Sequence, residues 1–201
     1  MSPDAILDYY NNVLVDENGQ GFADYTNPRT GVRQIKVQHP EFETFLGKGT
    51  VHGEGGSAAQ TYTCADCHMG TVRAVDGSTY PNHYLTSPLE NKALIEAECS
   101  ACHADLVTEV KAVMKKVDDR TTAISDELVE LTETLAKAVE SGEYTEEELN
   151  AIRSLARDAQ FYWDFVFVEN SEGAHNPSLT KDCLDKAESL TRQALGMFKA
   201  A

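Results

Sequence analysis

The sequence predicts a mainly α-helical protein in which a loop-rich segment, residues 1–104, precedes a part built from three long helices, residues 105–201. Two observations lead to this fold class. Glycine is dense between residues 47 and 56, and asparagine, proline and glycine recur between residues 18 and 31; such residues favour turns and loops. After residue 104, apolar residues recur at intervals of three and four, the spacing of one face of an α-helix.

Composition excludes several classes of protein. The 201 residues include 17 Lys and Arg against 33 Asp and Glu, so the formal net charge is −16. Nucleic-acid binding needs a basic surface against the phosphates, so we expect no nucleic-acid partner. No run of 18 apolar residues is present, and we expect no membrane span. The first residues, Met1–Asp4, lack the basic and apolar regions of a signal peptide.

A short helix is predicted near Pro3–Val15, and the first long helix begins after residue 104. This long helix covers roughly 35 residues and ends at Ser141-Gly142, because glycine commonly follows the last turn of a helix. Its apolar face slips in phase only around residues 118–123 and comprises Leu106, Val110, Val113, Val117, Ile124, Leu128, Leu131, Leu135 and Val139.

Two further helices complete the predicted helical part. Thr145 followed by Glu148 is a capping-box signal for the second helix, which we expect to end near Gly173. The segment Asn176–Ser178 opens the third helix, because asparagine caps a helix and proline suits its first position. Cys183 lies on this third helix, where we expect a small buried residue.

The cysteines indicate the chemistry. Four of the five lie in two pentapeptides, Cys64-Ala65-Asp66-Cys67-His68 and Cys99-Ser100-Ala101-Cys102-His103. This pattern is the attachment signature of c-type haem: both thiols form thioether bonds to the porphyrin, and the histidine supplies one axial nitrogen to the iron. The sequence therefore predicts a multihaem c-type cytochrome with Cys64, Cys67, Cys99 and Cys102 as thioether anchors and His68 and His103 as axial ligands.

Paired cysteines also occur in zinc sites and in redox dithiols. The 31 residues between Cys67 and Cys99 are more than zinc knuckles usually have, and a zinc site would leave both adjacent histidines unexplained. A thioredoxin-like dithiol would need a βαβ context, which the sequence lacks.

Four further histidines, His39, His52, His83 and His175, are candidates for the sixth iron ligand. Ligation by two histidines gives irons suited to electron transfer, with no open position for a substrate. Two haems use only two of these four histidines. The surplus leads to the hypothesis that some of them serve haems that this chain does not carry.

An ordered set of motifs resembles the pentahaem cytochrome c nitrite reductases, the ammonia-forming enzymes. The resemblance covers essentially the whole chain but only the C-terminal portion of the family. The matching segments are Lys36–Glu43, Gly49–His52, Thr63–Met69, Asn82-His83, Cys99–His103, Ala159–Asp164 and Ala174–Pro177, with the long helix between the last haem motif and Ala159.

This resemblance implies specific roles for the remaining histidines. His39 would be the catalytic histidine above the catalytic haem. The haem on Cys64 and Cys67 would have His68 and His175 as its axial pair, and the haem on Cys99 and Cys102 would have His103 and His52. His83 would reach toward a haem bound further upstream in the family.

The resemblance also implies cofactors and partners. Lys36, through its carbonyl, and Gln38, through its side chain, would be two ligands of a calcium ion, which prefers oxygen. Nitrite would be the substrate of the full enzyme, which reduces it to ammonia with six electrons. The long helix would form a homodimer, a quinol-oxidising cytochrome would donate electrons, and the parent protein would be periplasmic.

The departures from the family are large. The Cys-x-x-Cys-Lys motif of the catalytic haem, two further haem motifs and the active-site arginine, tyrosine and glutamate are absent from these residues. We therefore expect the electron-relay part of the enzyme, truncated and without an export signal, and inactive by itself. The alternatives are a free-standing dihaem electron-transfer protein, the haem subunit of a related multihaem reductase, or a helical domain with zinc-bound cysteines.

Overall fold

The computed structural model describes residues 1–50 and 62–198, and this part of the chain is mainly helical, as predicted. None of the helices within it is both long and apolar enough to cross a bilayer. The α-helices are α1 (Pro3–Asp8), α2 (Glu41–Leu46), α3 (Cys64–His68), α4 (Lys92–Leu94), α5 (Leu106–Ser141), α6 (Glu146–Phe167) and α7 (Pro177–Leu195).

Shorter elements connect these helices. π-helical turns extend α1 over Tyr9–Val13, in agreement with the helix predicted near Pro3–Val15, and α4 over Ile95–Cys99. Two small antiparallel hairpins are also present. Their strands are β1 (Tyr25–Thr26) with β2 (Arg33–Gln34), and β3 (Thr71–Arg73) with β4 (Thr79–Pro81).

The chain folds into two compact units. The first consists of Met1–Gly56 together with Met114–Ala201, and the second is Ser57–Val113. The two units are defined by which residues lie close together in space, whereas the predicted boundary at residue 104 marks the change from loop-rich to helical sequence. That boundary stays a prediction. The N-terminal segment therefore belongs with the long helices rather than with the haem motifs.

The core of the first unit is formed by the apolar faces of α5, α6 and α7. The predicted face of α5 is buried from Ile124 to Leu135, whereas Val110 and Val113 are only partly buried. At the predicted phase slip the helix continues without a break, and the Thr121 hydroxyl donates to the Val117 carbonyl at 3.0 Å. The other core residues include Leu149, Ile152, Ala159, Phe161, Phe165, Val166, Cys183, Leu184 and Ala187.

The helix ends agree with the predicted signals, with one exception. Gly142 follows α5 with φ = 66°, a backbone conformation that glycine adopts without strain. At α6, the Thr145 hydroxyl accepts from the Glu148 amide and the Glu148 carboxylate accepts from the Thr145 amide, which confirms the capping box. The expected end near Gly173 is wrong, because α6 ends at Phe167. The Glu169 side chain instead organises a separate loop, where it accepts from the Gly173 amide.

Arg157, on α6, holds the N-terminal segment against the long helices. Its guanidinium is buried and donates to the carbonyls of Phe22 and Arg33 and to the side-chain oxygen of Asn11. One side chain thus satisfies three acceptors from segments far away in the sequence.

Candidate haem-attachment sites

The first motif is a single helical turn, α3. Cys64 and Cys67 are three residues apart, so their side chains project from one face of the turn. The turn is stabilised from within the motif, because the amide and hydroxyl of Thr63 donate to the Asp66 carboxylate at 2.6 and 2.8 Å. These hydrogen bonds lower the pKa of Asp66. Both thiols and the adjacent histidine are therefore presented by five consecutive residues.

The ring of His68 is oriented by a backbone carbonyl. Its Nδ1 lies 2.9 Å from the oxygen of Thr86, and the Thr86 amide donates back to the His68 carbonyl at 3.2 Å. The Asn82 side chain donates to the Thr86 hydroxyl at 2.8 Å and braces the same loop. A proton on Nδ1 places the lone pair on Nε2, the nitrogen that a c-type haem iron binds.

The second motif is also a turn held by hydrogen bonds within the motif. The amides of Cys102 and His103 both donate to the carbonyl of Cys99, at 3.1 and 3.0 Å. Here the histidine has a charged partner, because its Nδ1 lies 2.7 Å from a carboxylate oxygen of Glu109 in the first turn of α5. The hydrogen bond to His103 is the largest cause of the lowered pKa of Glu109.

The four motif thiols are unbridged, as thioether formation requires. Cys64 and Cys102 are exposed, and burial raises the pKa of Cys67 and of Cys99. Within residues 1–50 and 62–198, no group of three or more His, Cys, Asp or Glu side chains is placed to hold a metal ion directly.

The described part of the second unit, residues 62–113, has little hydrophobic core of its own. Among its described residues, 62–113, Leu94 is the only hydrophobic residue that is buried. Large apolar side chains are instead exposed, namely Val75, Tyr80, Tyr84 and Leu85. A porphyrin is a large apolar body, and two of them attached to these turns would supply the burial that a unit of this size needs. The residues present therefore fit c-type haem.

The other predicted ligand, His175, lies in the loop between α6 and α7 of the first unit. Its Nδ1 is 2.7 Å from a carboxylate oxygen of Glu169, which is only 4% exposed, and its ring packs edge-on against Phe45. The hydroxyl of Ser171 donates to the other oxygen of that carboxylate. The pairing of His175 with the haem on Cys64 and Cys67 stays a prediction.

The predicted active-site segment is an exposed stretch of the first unit. His39 has φ = 48°, which is uncommon for a residue with a side chain, and its ring is 80% exposed and 3.8 Å from the Glu41 carboxylate. Lys36 and Gln38 are exposed in the same stretch, and the Lys36 amide donates to Asp24 at 2.8 Å. Calcium takes six to eight oxygen ligands, so these two residues would supply only part of a calcium site.

Of the two remaining predicted ligands, the structure describes only His83. His83 is exposed, in the same loop that contributes Thr86 to His68. His52 lies outside the described residues.

Three groups that support the histidines were not predicted from the sequence. These are the Thr86 carbonyl, Glu109 and Glu169. A backbone carbonyl leaves no signal in a side-chain pattern. Each glutamate is six residues from its histidine, a spacing that could have drawn attention to it only after the histidine was known to be a ligand.

Comparison with known proteins identifies the family. The cytochrome c552 family model matches residues 1–200. The cytochrome c nitrite reductase subunit NrfA of Nitratidesulfovibrio vulgaris (strain Hildenborough) is 34% identical over 190 residues, which cover 90% of this chain and 34% of that protein. The chain thus spans about a third of the length of this curated relative.

A solved structure agrees with this assignment. The cytochrome c nitrite reductase of Desulfovibrio desulfuricans, a catalytic subunit described with two calcium sites, has a TM-score of 0.79 and 30% identity to this chain. The match covers 98% of this chain and 41% of that one. The match to the family model and the shared fold show that the chain belongs to the cytochrome c552 family, and that it is a mainly α-helical, multihaem c-type cytochrome.

Proposed function

We propose that this chain is the C-terminal, electron-relay part of an ammonia-forming cytochrome c nitrite reductase. The observation that carries the proposal is the pair of Cys-x-x-Cys-His turns in the second unit. In each turn, the Nδ1 of the histidine forms a hydrogen bond to an oxygen. A bound haem supplies reversible one-electron chemistry at its iron. The chain's own contribution is to anchor each porphyrin, orient its axial imidazole and cover its apolar faces.

The distal ligands and the substrate site belong to the same proposal. His175 and His52 would complete the axial pairs of the two haems, so that neither iron has an open position for a substrate. Nitrite would bind in the full enzyme, where His39 is the catalytic histidine, Lys36 and Gln38 contribute to a calcium site, and His83 serves another haem. The catalytic haem would be supplied outside these residues.

The proposed setting follows from covalent haem attachment, which takes place on the outer side of the bacterial cytoplasmic membrane. The protein would work in the periplasm, receive electrons from a quinol-oxidising cytochrome and form a homodimer through α5. Sedimentation equilibrium of the haem-loaded chain tests the dimer: a species of twice the chain mass is expected, and a monomer at all concentrations would contradict it.

Haem attachment is tested by expressing the chain behind an added export signal, together with a c-type maturation system. Two covalent haems per chain are expected from the pyridine haemochrome spectrum and from the mass of the intact protein. Replacing Cys64 and Cys67 by alanine should leave one haem, whereas Cys183→Ala, which removes the buried cysteine outside the motifs, should leave two. Absence of covalent haem from the wild-type chain would contradict the proposal.

Two measurements test the relay role, and the first of them also separates it from a free-standing dihaem carrier. The coding sequence upstream of Met1 is expected to encode a Cys-x-x-Cys-Lys motif and further haem motifs. The haem-loaded chain alone is expected to show no nitrite reduction with a reduced viologen dye as donor. An unrelated gene immediately upstream would favour the free-standing carrier, and turnover by the chain alone would contradict the relay role.

A further inference from the structure

The two histidines of the haem motifs differ in what accepts their Nδ1 proton. His68 donates to a neutral backbone carbonyl, that of Thr86, at 2.9 Å. His103 donates to the carboxylate of Glu109 at 2.7 Å. Both contacts lie within the second unit, which is one compact body.

Glu109 is held where it can act on His103. It lies in the first turn of α5, where the positive end of the helix dipole favours a carboxylate. The carboxylate oxygen that does not face His103 accepts from the Asp105 amide at 3.4 Å. The turn itself is closed by the Asp105 carboxylate, which accepts from the Thr108 amide at 3.1 Å. The helix start therefore fixes the position of Glu109 relative to the motif.

A carboxylate partner increases the electron donation of the imidazole more than a carbonyl partner does. It attracts the Nδ1 proton more strongly and so leaves more electron density on Nε2, which makes the imidazole a better donor to iron. Stronger donation favours the ferric over the ferrous state, and axial ligation and its hydrogen bonds are among the main determinants of haem potential. His103 and Glu109 are each about half exposed, with 48% and 49% of their side-chain surface accessible, so we expect a moderate effect.

We propose that Glu109 is a positioning residue that orients His103 and lowers the reduction potential of the haem attached at Cys99 and Cys102. This inference rests on the proposed attachment of haem at that motif. It assigns to the start of α5 a role in setting a redox potential, in addition to its role in the fold.

The experiment uses the full haem-loaded chain and a spectroelectrochemical titration of both haems. Glu109→Gln keeps an acceptor but removes the charge, and it should raise the equilibrium constant for reduction of one haem by about five- to tenfold. Tenfold corresponds to about 59 mV for a one-electron couple. The other haem should keep its wild-type potential, and the low-spin electron paramagnetic resonance signal of the shifted haem should change.

Two further variants distinguish the effect of the His103–Glu109 hydrogen bond from the effect of losing a nearby charge, and circular dichroism distinguishes it from a loss of folding. Glu98→Gln removes an exposed carboxylate that adjoins Cys99 in the sequence, and it should change neither equilibrium constant by more than about twofold. Glu109→Asp keeps the charge but shortens the side chain, so it should shift the same haem in the same direction as Glu109→Gln. Unchanged circular dichroism would show that each variant folds.

The possible failures are distinguishable. If the wild-type chain carries no covalent haem, the proposed function is wrong. If two haems attach but both Glu109 variants keep the wild-type potentials, or Glu98→Gln shifts a haem as much as Glu109→Gln does, the role of Glu109 is overturned while the proposed function stands.

Discussion

At the scale of single residues, the histidines share one feature that their motifs do not reveal. His68, His103 and His175 each have Nδ1 within 2.9 Å of an oxygen, supplied respectively by a carbonyl and two glutamates. Such partners fix the tautomer and the ring orientation of a metal-binding histidine. The supporting atoms come from loops and a helix start, so these three imidazoles are oriented by residues outside the Cys-x-x-Cys-His motifs.

Asp164 is a partly buried carboxylate on α6 that gives a testable pH dependence. Burial raises its pKa to about 6, although Gln160 donates to it at 2.9 Å. An unfolded aspartate has a pKa of about 3.9, so between about pH 4 and pH 6 the native state binds a proton that the unfolded state has lost. The protonated carboxyl therefore contributes to the stability of the native state at low pH, and this contribution is lost as the pH rises through 6. Relative to wild type, Asp164→Asn should therefore be more stable by roughly 1–2 kcal/mol at pH 7.5, with little difference at pH 4.

Urea unfolding followed by circular dichroism at both pH values measures this effect. Asp126→Asn, on the exposed face of α5, removes the same charge without removing a buried carboxylate and serves as the control. Equal effects of Asp164→Asn at pH 4 and pH 7.5 would contradict the expectation.

The buried hydrogen bonds of Arg157 should make a large contribution to the stability of the first unit. Arg157→Ala leaves the carbonyls of Phe22 and Arg33 and the Asn11 side chain without their donor, and buried charged hydrogen bonds are costly to break. We expect a loss of about 3 kcal/mol in the free energy of unfolding. Arg29→Ala breaks only an exposed ion pair with Glu133, which water and salt screen, and it should cost much less than Arg157→Ala. Urea titrations of both variants test this ranking, and equal losses would contradict it.

At the scale of elements, the start of α7 connects two parts of the first unit. The Asn176 side-chain oxygen accepts from the Leu179 amide at 3.0 Å and caps the helix. Its amide group donates to the carbonyls of Thr44 and Lys48 at 3.1 and 3.2 Å, at the end of α2. Asn176 is fully buried and directly follows His175. The helix cap therefore fixes the loop that carries a proposed iron ligand.

Asn176→Ala should lower the free energy of unfolding by about 3 kcal/mol, because it removes the cap and the buried side-chain amide that donates to the carbonyls of Thr44 and Lys48. Asn176→Asp keeps the capping oxygen but places a carboxylate against those carbonyls, so a loss of similar size is expected. Thr145→Ala, which removes only the α6 cap, should cost about 1 kcal/mol. Urea unfolding measures all three, and a wild-type stability for Asn176→Asp would show that the cap alone matters.

At the scale of the whole molecule, the two units depend on different sources of stability. The first has an extensive core along α5, α6 and α7. The described part of the second buries Leu94 as its only hydrophobic residue. Covalent haem would add an apolar body to that unit, which links cofactor attachment to folding in one part of the chain more than in the other.

Hydrogen exchange tests this difference. The chain made without haem maturation should exchange amides of residues 62–113 rapidly, because that unit would lack most of its buried apolar surface. Amides of the buried parts of α6 and α7 should exchange at rates close to those of the haem-loaded chain. Equal protection of residues 62–113 with and without haem, measured by mass spectrometry of peptides, would contradict this expectation.

Much of the fold was predictable because it depends on local patterns. Helical spacing predicted α5 to within a residue of its observed end, and the Thr145–Glu148 box and Asn176 predicted the starts of α6 and α7. The end of α6 was not predictable, because the Glu169 side chain and its loop partners decide it. Short elements such as α2 and the two hairpins also lack a strong periodic signal.

The sequence by itself determined the haem chemistry, since two thiols and an imidazole must lie within one turn to reach one porphyrin, and that spacing is local. Only the tertiary structure decided what orients each imidazole, because Thr86, Glu109 and Glu169 reach their histidines through loops and a helix start whose positions no motif encodes. It also decided that residues 1–50 pack with the long helices, since Arg157 and Asn176 join segments more than a hundred residues apart.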